Sequence, residues 1–389
     1  MAKAALLLFR CKRSHGVNAT YQESGDLLSN SVLNCLLLRI IIILHSMAKL
    51  YICISVDWEG EHFKNLHDLA HLRKSIGVDT PVTHFICPSY FTIKDKQAVK
   101  KIESILQPVD EIGLHIHCYK SLIEAAEVEF RTQPNYYHEP LEVLSGVKQL
   151  MGINGKVSGR GVPLSAYNYN EIQKIVRFSK KLLIEKLGFE DINSFRAGGW
   201  IATDEIFNII TNEGFEIDSS AVPPEILSNG YTKESSGNMK DDYGDQNGLF
   251  TEMVLKIWGY QKQTEALYEN LLFHAANNHV AINRKSQPFQ IGNILEIPNN
   301  GGLSDFASVS KTMRPVFEHG LEYIEKTGQN YFMTIGCHQE GGYEFKYPLL
   351  EFVHYIQKLN NKSVEFVRIS DVPELMKMNS NNLRTSGSF

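Results

Sequence analysis

The chain is 389 residues long, with 39 basic and 44 acidic side chains and a formal net charge of −5. That mild acidic balance excludes nucleic acid or another polyanion held by bulk charge, and 43% hydrophobic with 21% charged residues excludes a disordered or fibrous chain. The six cysteines, at positions 11, 35, 53, 87, 118 and 337, form no CxxC pair and no regular framework, so buried thiols in a reducing, cytoplasmic compartment are expected.

Residues 1–46 differ in character from the rest of the chain. Asn34–His45 is rich in leucine and isoleucine but is broken by Arg39, and it supplies only about half of the ~20 apolar residues that span a bilayer. No small-residue cleavage site comes after it. Stable membrane insertion is not expected. Residues 1–46 read as a leader upstream of a true start at Met47, with a membrane-apposed anchor as the competing reading; one barrel domain follows over 47–378 and a polar, disordered tail over 379–389.

The first strand, 50–57, is a near-continuous apolar run of the kind a parallel sheet buries on both faces. Period 2 puts Ser55, Asp57 and Glu59 on one face and Val56 and Trp58 on the other. A helical stretch comes next, with His67 and His71 expected at its surface, then a strand over 82–88. Further strands are expected at 109–116, 192–196, 215–219, 292–297, 330–337 and 363–368, and helices near 94–107, 168–187, 203–213, 308–327, 346–360 and 370–378. Eight strands alternating with helices predict a parallel sheet closed as a barrel, interrupted by two long insertions at about 118–166 and 221–291. Within the second, Asp241–Gly248 imitates a calcium loop, but Tyr243 and Gln246 stand where an oxygen ligand and a glycine are required, so it reads as a solvated turn.

In such a barrel the C-terminal strand ends share one mouth, and their residues are read as a set. The first end supplies Asp57 and Glu59, and the third supplies His115 and His117, two apart and on one face of their strand. The fourth end carries Arg196 and Trp200, the fifth Asp218 and the seventh His338. One carboxylate with two imidazoles makes an open three-ligand metal site, so Glu59, His115 and His117 are the expected ligands of a divalent metal ion. A second carboxylate can take a proton from water, and a histidine across the mouth can give one to a leaving group. Trp58 and Tyr119, adjoining these residues, are further candidates for substrate contact. Cys118 and Cys337 read as packing thiols, and Glu340 stands between a place behind the site and the surface.

The ordered set Ser55-Val56-Asp57-Trp58-Glu59-Gly60, Thr83-His84-Phe85, Glu111-Ile112-Gly113-Leu114-His115, Ser194-Phe195-Arg196-Ala197-Gly198-Gly199-Trp200, Asp218-Ser219-Ser220 and Cys337-His338 resembles the motif series of the polysaccharide deacetylases of the NodB-homology type. The resemblance spans about residues 50–340 and implies a distorted (β/α)7-8 barrel, with one of the eight strands peripheral. It also implies a divalent metal, most often zinc, and removal of an acyl group from an acylated sugar. Carried over, it makes Asp57 the base, Arg196 the cation that fixes that base, Trp200 an aromatic wall for the sugar, Asp218 the carboxylate that orients the acid, and His338 the acid. Two positions depart from the series. Glu59 replaces an aspartate one position earlier, and His117 substitutes for a histidine expected four residues after His115, where Tyr119 stands.

Two other readings fit these residues: a non-catalytic barrel that binds carbohydrate, and a metal-free amide hydrolase acting on a small substrate. Asp57, Arg196 and His338 occurring together favour an enzyme, because a binding module has no use for a base and an acid facing each other.

Overall fold

A computed structural model of the chain describes residues 48–60, 62–93, 95–132, 158–222, 287–305, 307 and 309–377. The expected leader and tail, most of both insertions and the Asp241–Gly248 turn lie outside them.

Alternation along strand β1 (Leu50–Trp58) sets the architecture. Leu50, Ile52, Ile54, Val56 and Trp58 pack outward among apolar side chains of the helices, while Tyr51 and Cys53 join a separate apolar cluster on the inner face. β1 is flanked in parallel by β2 (Val82–Ile86) and β9 (Tyr331–His338). From β2 the sheet continues in parallel through β3 (Glu111–Ile116), β4 (Ser194–Ala197), β5 (Ile217–Asp218) and β7 (Ile294–Glu296), with β6 (Phe289–Ile291) folded antiparallel onto β7.

One bent segment joins the two edges. Ile297 N donates to Asp218 O at 2.8 Å and Asn299 N to Ala221 O at 2.8 Å, whereas Gly301 N donates to Thr334 O at 2.9 Å and Ser304 N to Gly336 O at 2.7 Å. The same stretch therefore leaves β7 beside β5 and arrives as β8 (Gly302–Leu303) beside β9. The result is a distorted barrel of seven staves: β1 to β5, the β7–β8 segment and β9. The expected strand over 363–368 is the peripheral one. As β10 (Val364–Phe366) it pairs with Leu50–Ile52, on the edge of β1 that β2 occupies from Ile54 onward.

Helices α1 (Leu66–Ser75), α2 (Ala98–Glu103), α3 (Tyr169–Leu187), α4 (Asp204–Asn212), α5 (Arg314–Thr327) and α6 (Tyr343–Leu359) cover the outer face. Their ends follow local chemistry: a capping box between Asn168 and Glu171 starts α3, and Gly188, in the left-handed region at φ 71°, stops it. The expected helix over 94–107 is shorter, as α2, and the one over 308–327 begins at Arg314 after a wide helical turn, Val309–Met313. His67 and His71 are exposed on α1. Among the described residues no helix is long and apolar enough to cross a membrane.

Inside the barrel the character changes along the strands. The N-terminal half is plugged by Tyr51, Cys53, Phe85, Ile217, Leu295, Ile297 and Phe332. Above that plug, the inner face of β1 turns polar at Ser55, Asp57 and Glu59, all buried. Buried polar groups are tolerated only when they satisfy one another, so they gather into one network at the mouth.

Candidate active site

Strand pairing delivers the polar residues in register. Asp57 lies beside His338 across β1 and β9, and His115 beside Arg196 across β3 and β4. Laterally paired residues in a parallel sheet share a face, so these four point inward together.

Arg196 is fully buried and uses all five of its N–H donors. Nε donates to Ser219 O at 2.9 Å; Nη1 donates to Ser55 Oγ at 3.1 Å and Asp57 Oδ1 at 2.5 Å; Nη2 donates to Ser219 Oγ at 2.9 Å and Asn299 Oδ1 at 2.7 Å. Its guanidinium also stacks 4.1 Å from the centre of the Phe85 ring. Asp57 is thereby fixed through one oxygen, and among the described residues no hydrogen bond engages the other. Desolvating a guanidinium is costly, and here complete pairing offsets it.

Glu59, His115 and His117 bring one oxygen and two ring nitrogens within 4.8 Å of one another, all buried. His117 Nε2 lies 3.2 Å from Glu59 Oε2, and His115 Nε2 lies 3.8 Å from Glu59 Oε1. On the far side of each ring, His115 Nδ1 meets Arg196 O at 2.9 Å and His117 Nδ1 meets Arg160 O at 3.0 Å. A carbonyl oxygen only accepts, so each Nδ1 carries a proton and each ring presents its Nε2 to the carboxylate. Burial lowers the pKa of His117 against the pull of Glu59. Burial would raise the pKa of Glu59, yet the facing His117 and His338 outweigh it and hold the carboxyl well below its usual range. Two ring nitrogens and a carboxylate oxygen gathered this closely, with each Nδ1 fixed from behind by a carbonyl, make the donor set of a divalent cation, and these residues fit one. His115 Nε2 in particular is buried without a hydrogen-bond partner among the described residues.

Gly198 explains part of the Arg196–Trp200 motif. A Cβ there would stand 2.9 Å from His117 Nδ1 and 2.5 Å from Ile116 O, so the imidazole packs directly on the glycine backbone.

His338 sits between two carboxylates, with Nε2 at 3.1 Å from Glu59 Oε1 and Nδ1 at 2.8 Å from Asp305 Oδ2. Burial disfavours its charge, but Asp305 and Glu59 outweigh burial and raise its pKa well above the usual histidine value. Glu340 lies just behind: its carboxylate accepts from Tyr90 Oη and, at 3.4 Å, from Glu59 N, and burial with the nearby Glu59 pushes its pKa up to about 7.

Three expected positions are corrected. Asp218 does not orient His338. It pairs laterally with Phe195 and Glu296, residues of the outer face, and its oxygens accept from Ser220 N and Ser220 Oγ, both at 2.9 Å. The orienting carboxylate is Asp305. Trp58 is no substrate platform: it is buried on the outer face, donates from Nε1 to His84 Nδ1 at 3.0 Å and packs on Phe63 and Tyr90. Tyr119 is 4% exposed, its ring tucked under Gly60 and 6.1 Å from that of His117, so it backs the site rather than lining it. Trp200 is half-buried just past β4, with φ 57°, and Cys118 and Cys337 are buried packing thiols.

Three residues escaped the sequence reading: Asp305, Asn299 and Arg160. Asp305 and Asn299 arrive on the edge-joining segment, whose course no periodicity reveals. Arg160 had a faint signal, a lone cation between two glycines.

No protein-family model matches the chain, and no curated protein matches it. Among solved structures it is similar to a Mycobacterium smegmatis protein assigned as a polysaccharide deacetylase, at 12% identity and a TM-score of 0.44, covering 86% of this chain and 92% of that one. A variant of peptidoglycan deacetylase PdaC from Bacillus subtilis gives 11% identity and a TM-score of 0.38, covering 88% and 98%. PuuE allantoinase gives 10% identity and a TM-score of 0.43, covering 88% and 92%.

Proposed function

We propose that the protein is a metal-dependent deacetylase that removes an N- or O-acetyl group from a sugar of a surface polysaccharide or its precursor, acting in the cytoplasm. The observation that carries this reading is the meeting, at one mouth, of the Glu59–His115–His117 donor set with an arginine-held carboxylate, Asp57, and a charged imidazole, His338. The NodB-type order of motifs supports the substrate class.

Glu59, His115 and His117 would hold the cation, for which zinc suits two imidazoles and a carboxylate. When bound, such an ion lowers the pKa of its water toward ~7 and polarises the acyl oxygen. Asp57, clamped by Arg196 through one oxygen, takes the proton of the attacking water on the other. His338, charged and held by Asp305, gives its proton to the departing nitrogen or oxygen of the sugar, which would otherwise leave as a poor anion. Trp200, half-buried just past β4, offers the apolar wall for the sugar ring.

The test is the metal content of protein beginning at Met47, beside the His115→Ala/His117→Ala variant. About one equivalent of a divalent transition metal in the parent, lost in the variant, with acetate released from N-acetylated sugars, is expected. No metal in either after reconstitution with zinc or cobalt would reject the mechanism in favour of a metal-free hydrolase or a sugar-binding barrel.

A further inference from the structure

Arg160 touches two of the three ligand side chains with two different groups. Its carbonyl oxygen meets His117 Nδ1 at 3.0 Å, and its guanidinium binds Glu59 Oε2 through Nε at 2.9 Å and Nη2 at 2.6 Å. The residue is carried by Ser158–Val162, which docks on the turn after β3 through Lys120 N donating to Ser158 O at 2.9 Å; within the segment, Arg160 N donates to Ser158 Oγ at 3.3 Å. Gly159 makes the docking possible. Its φ is +82°, and a Cβ would stand 2.4 Å from Cys118 O, so the backbone lies flat on that carbonyl.

Resting on the metal-site reading above, we propose that Arg160 is the positioning residue that assembles the centre. Its main chain sets the His117 tautomer and its side chain orients Glu59, so that both ligands are aimed by one residue outside the strand framework. Glu59 needs such a guide more than a shorter aspartate would, because it has one more rotatable bond to fix. The Nε/Nη2 fork of arginine holds a carboxylate oxygen in direction as well as distance, which a lysine ammonium does not. The guanidinium engages Oε2, the oxygen that also lies 3.2 Å from His117 Nε2, while Oε1 faces His115 Nε2 and His338 Nε2.

The experiment measures zinc affinity by chelator competition, and the visible spectrum of the cobalt form, for the parent, Arg160→Ala and Arg160→Lys, with apo thermal melts as a folding control. Arg160→Ala should weaken zinc about 10- to 100-fold and alter the cobalt spectrum, with Arg160→Lys between it and the parent. Equal affinity in parent and Arg160→Ala would overturn the proposal, and tighter binding in the variant would do so too, making the guanidinium a rival for the cation's place. If Arg160→Ala does not fold, Arg160→Lys decides: weaker zinc than the parent supports the proposal and unchanged zinc overturns it. A parent that binds no zinc or cobalt overturns the metal-site reading itself and this inference with it, an outcome distinct from a parent that binds and a variant that binds equally.

Discussion

Asp305 Oδ2 lies 2.8 Å from His338 Nδ1, and the same carboxylate accepts the main-chain N–H of His338 at 3.1 Å. Ring and backbone are thus held by one side chain, from the segment that closes the barrel beside β9. The inner-face dyad needs a carboxylate from the staves next to β9, and Asp218 is both on another stave and on the outer face.

If His338 is the acid, activity is lost as pH rises through its pKa, because the neutral ring has no proton to give. Asp305 and Glu59 raise that pKa against burial, so Asp305→Asn should move the basic limb of the kcat/KM profile to lower pH and cut kcat about 10²-fold near neutrality. Asp218→Asn should leave the limb where it is. A limb unmoved by Asp305→Asn would place the acid elsewhere.

Asp57 and Arg196 separate chemistry from stability. Asp57→Asn keeps an acceptor for Arg196 Nη1 but loses the base, so kcat should fall about 10²- to 10⁴-fold with zinc content unchanged. Arg196→Ala strands Asp57, Ser219 and Asn299 in the interior and should cost about 3–5 kcal/mol in denaturant unfolding. A folded, metal-loaded Asp57→Asn with parental kcat would remove Asp57 from the mechanism.

Trp58→Phe tests the outer-face assignment. It removes the N–H that His84 Nδ1 accepts and should destabilise the fold by about 1–3 kcal/mol, while KM for an acetylated sugar stays at the parental value. A raised KM at unchanged stability would return Trp58 to the substrate.

Glu296 lies beside Asp218 on the outer face, and burial together with Asp218 pushes its pKa well above the usual carboxyl range. A raised folded-state pKa means that its contribution to stability is complete below the unfolded value and declines as pH rises from there toward the folded one. Glu296→Gln cannot ionise, so it adds no negative charge beside Asp218. Its melting temperature should therefore match the parent at low pH and exceed it in mildly alkaline solution, by roughly 2–4 °C per kcal/mol recovered. Parallel melting curves for the two proteins across pH would show that the pair does not titrate with folding.

Period 2 in the sequence determined most of what lies along the strands. It put Ser55, Asp57 and Glu59 on one face of β1 and His115 with His117 on one face of β3, and the structure holds them so. It likewise set Trp58 opposite Asp57, a warning against reading Trp58 as substrate contact. Alternating strands and helices announced a barrel because each apolar strand needs both faces covered.

What lies between strands was decided by tertiary structure alone. Asp305 and Asn299 ride on a segment that leaves one sheet edge and joins the other, and a segment's lateral neighbours are set by long-range hydrogen bonds that local pattern does not encode. Asp218 failed as the orienting acid for the same reason: its partner across β5 and β7 is Glu296, and which residue stands beside which is a matter of register. Arg160 reaches Glu59 from 101 positions away, through a loop seated on the turn after β3. Sequence fixes the face of a side chain through backbone geometry, but only the closed barrel decides which faces meet.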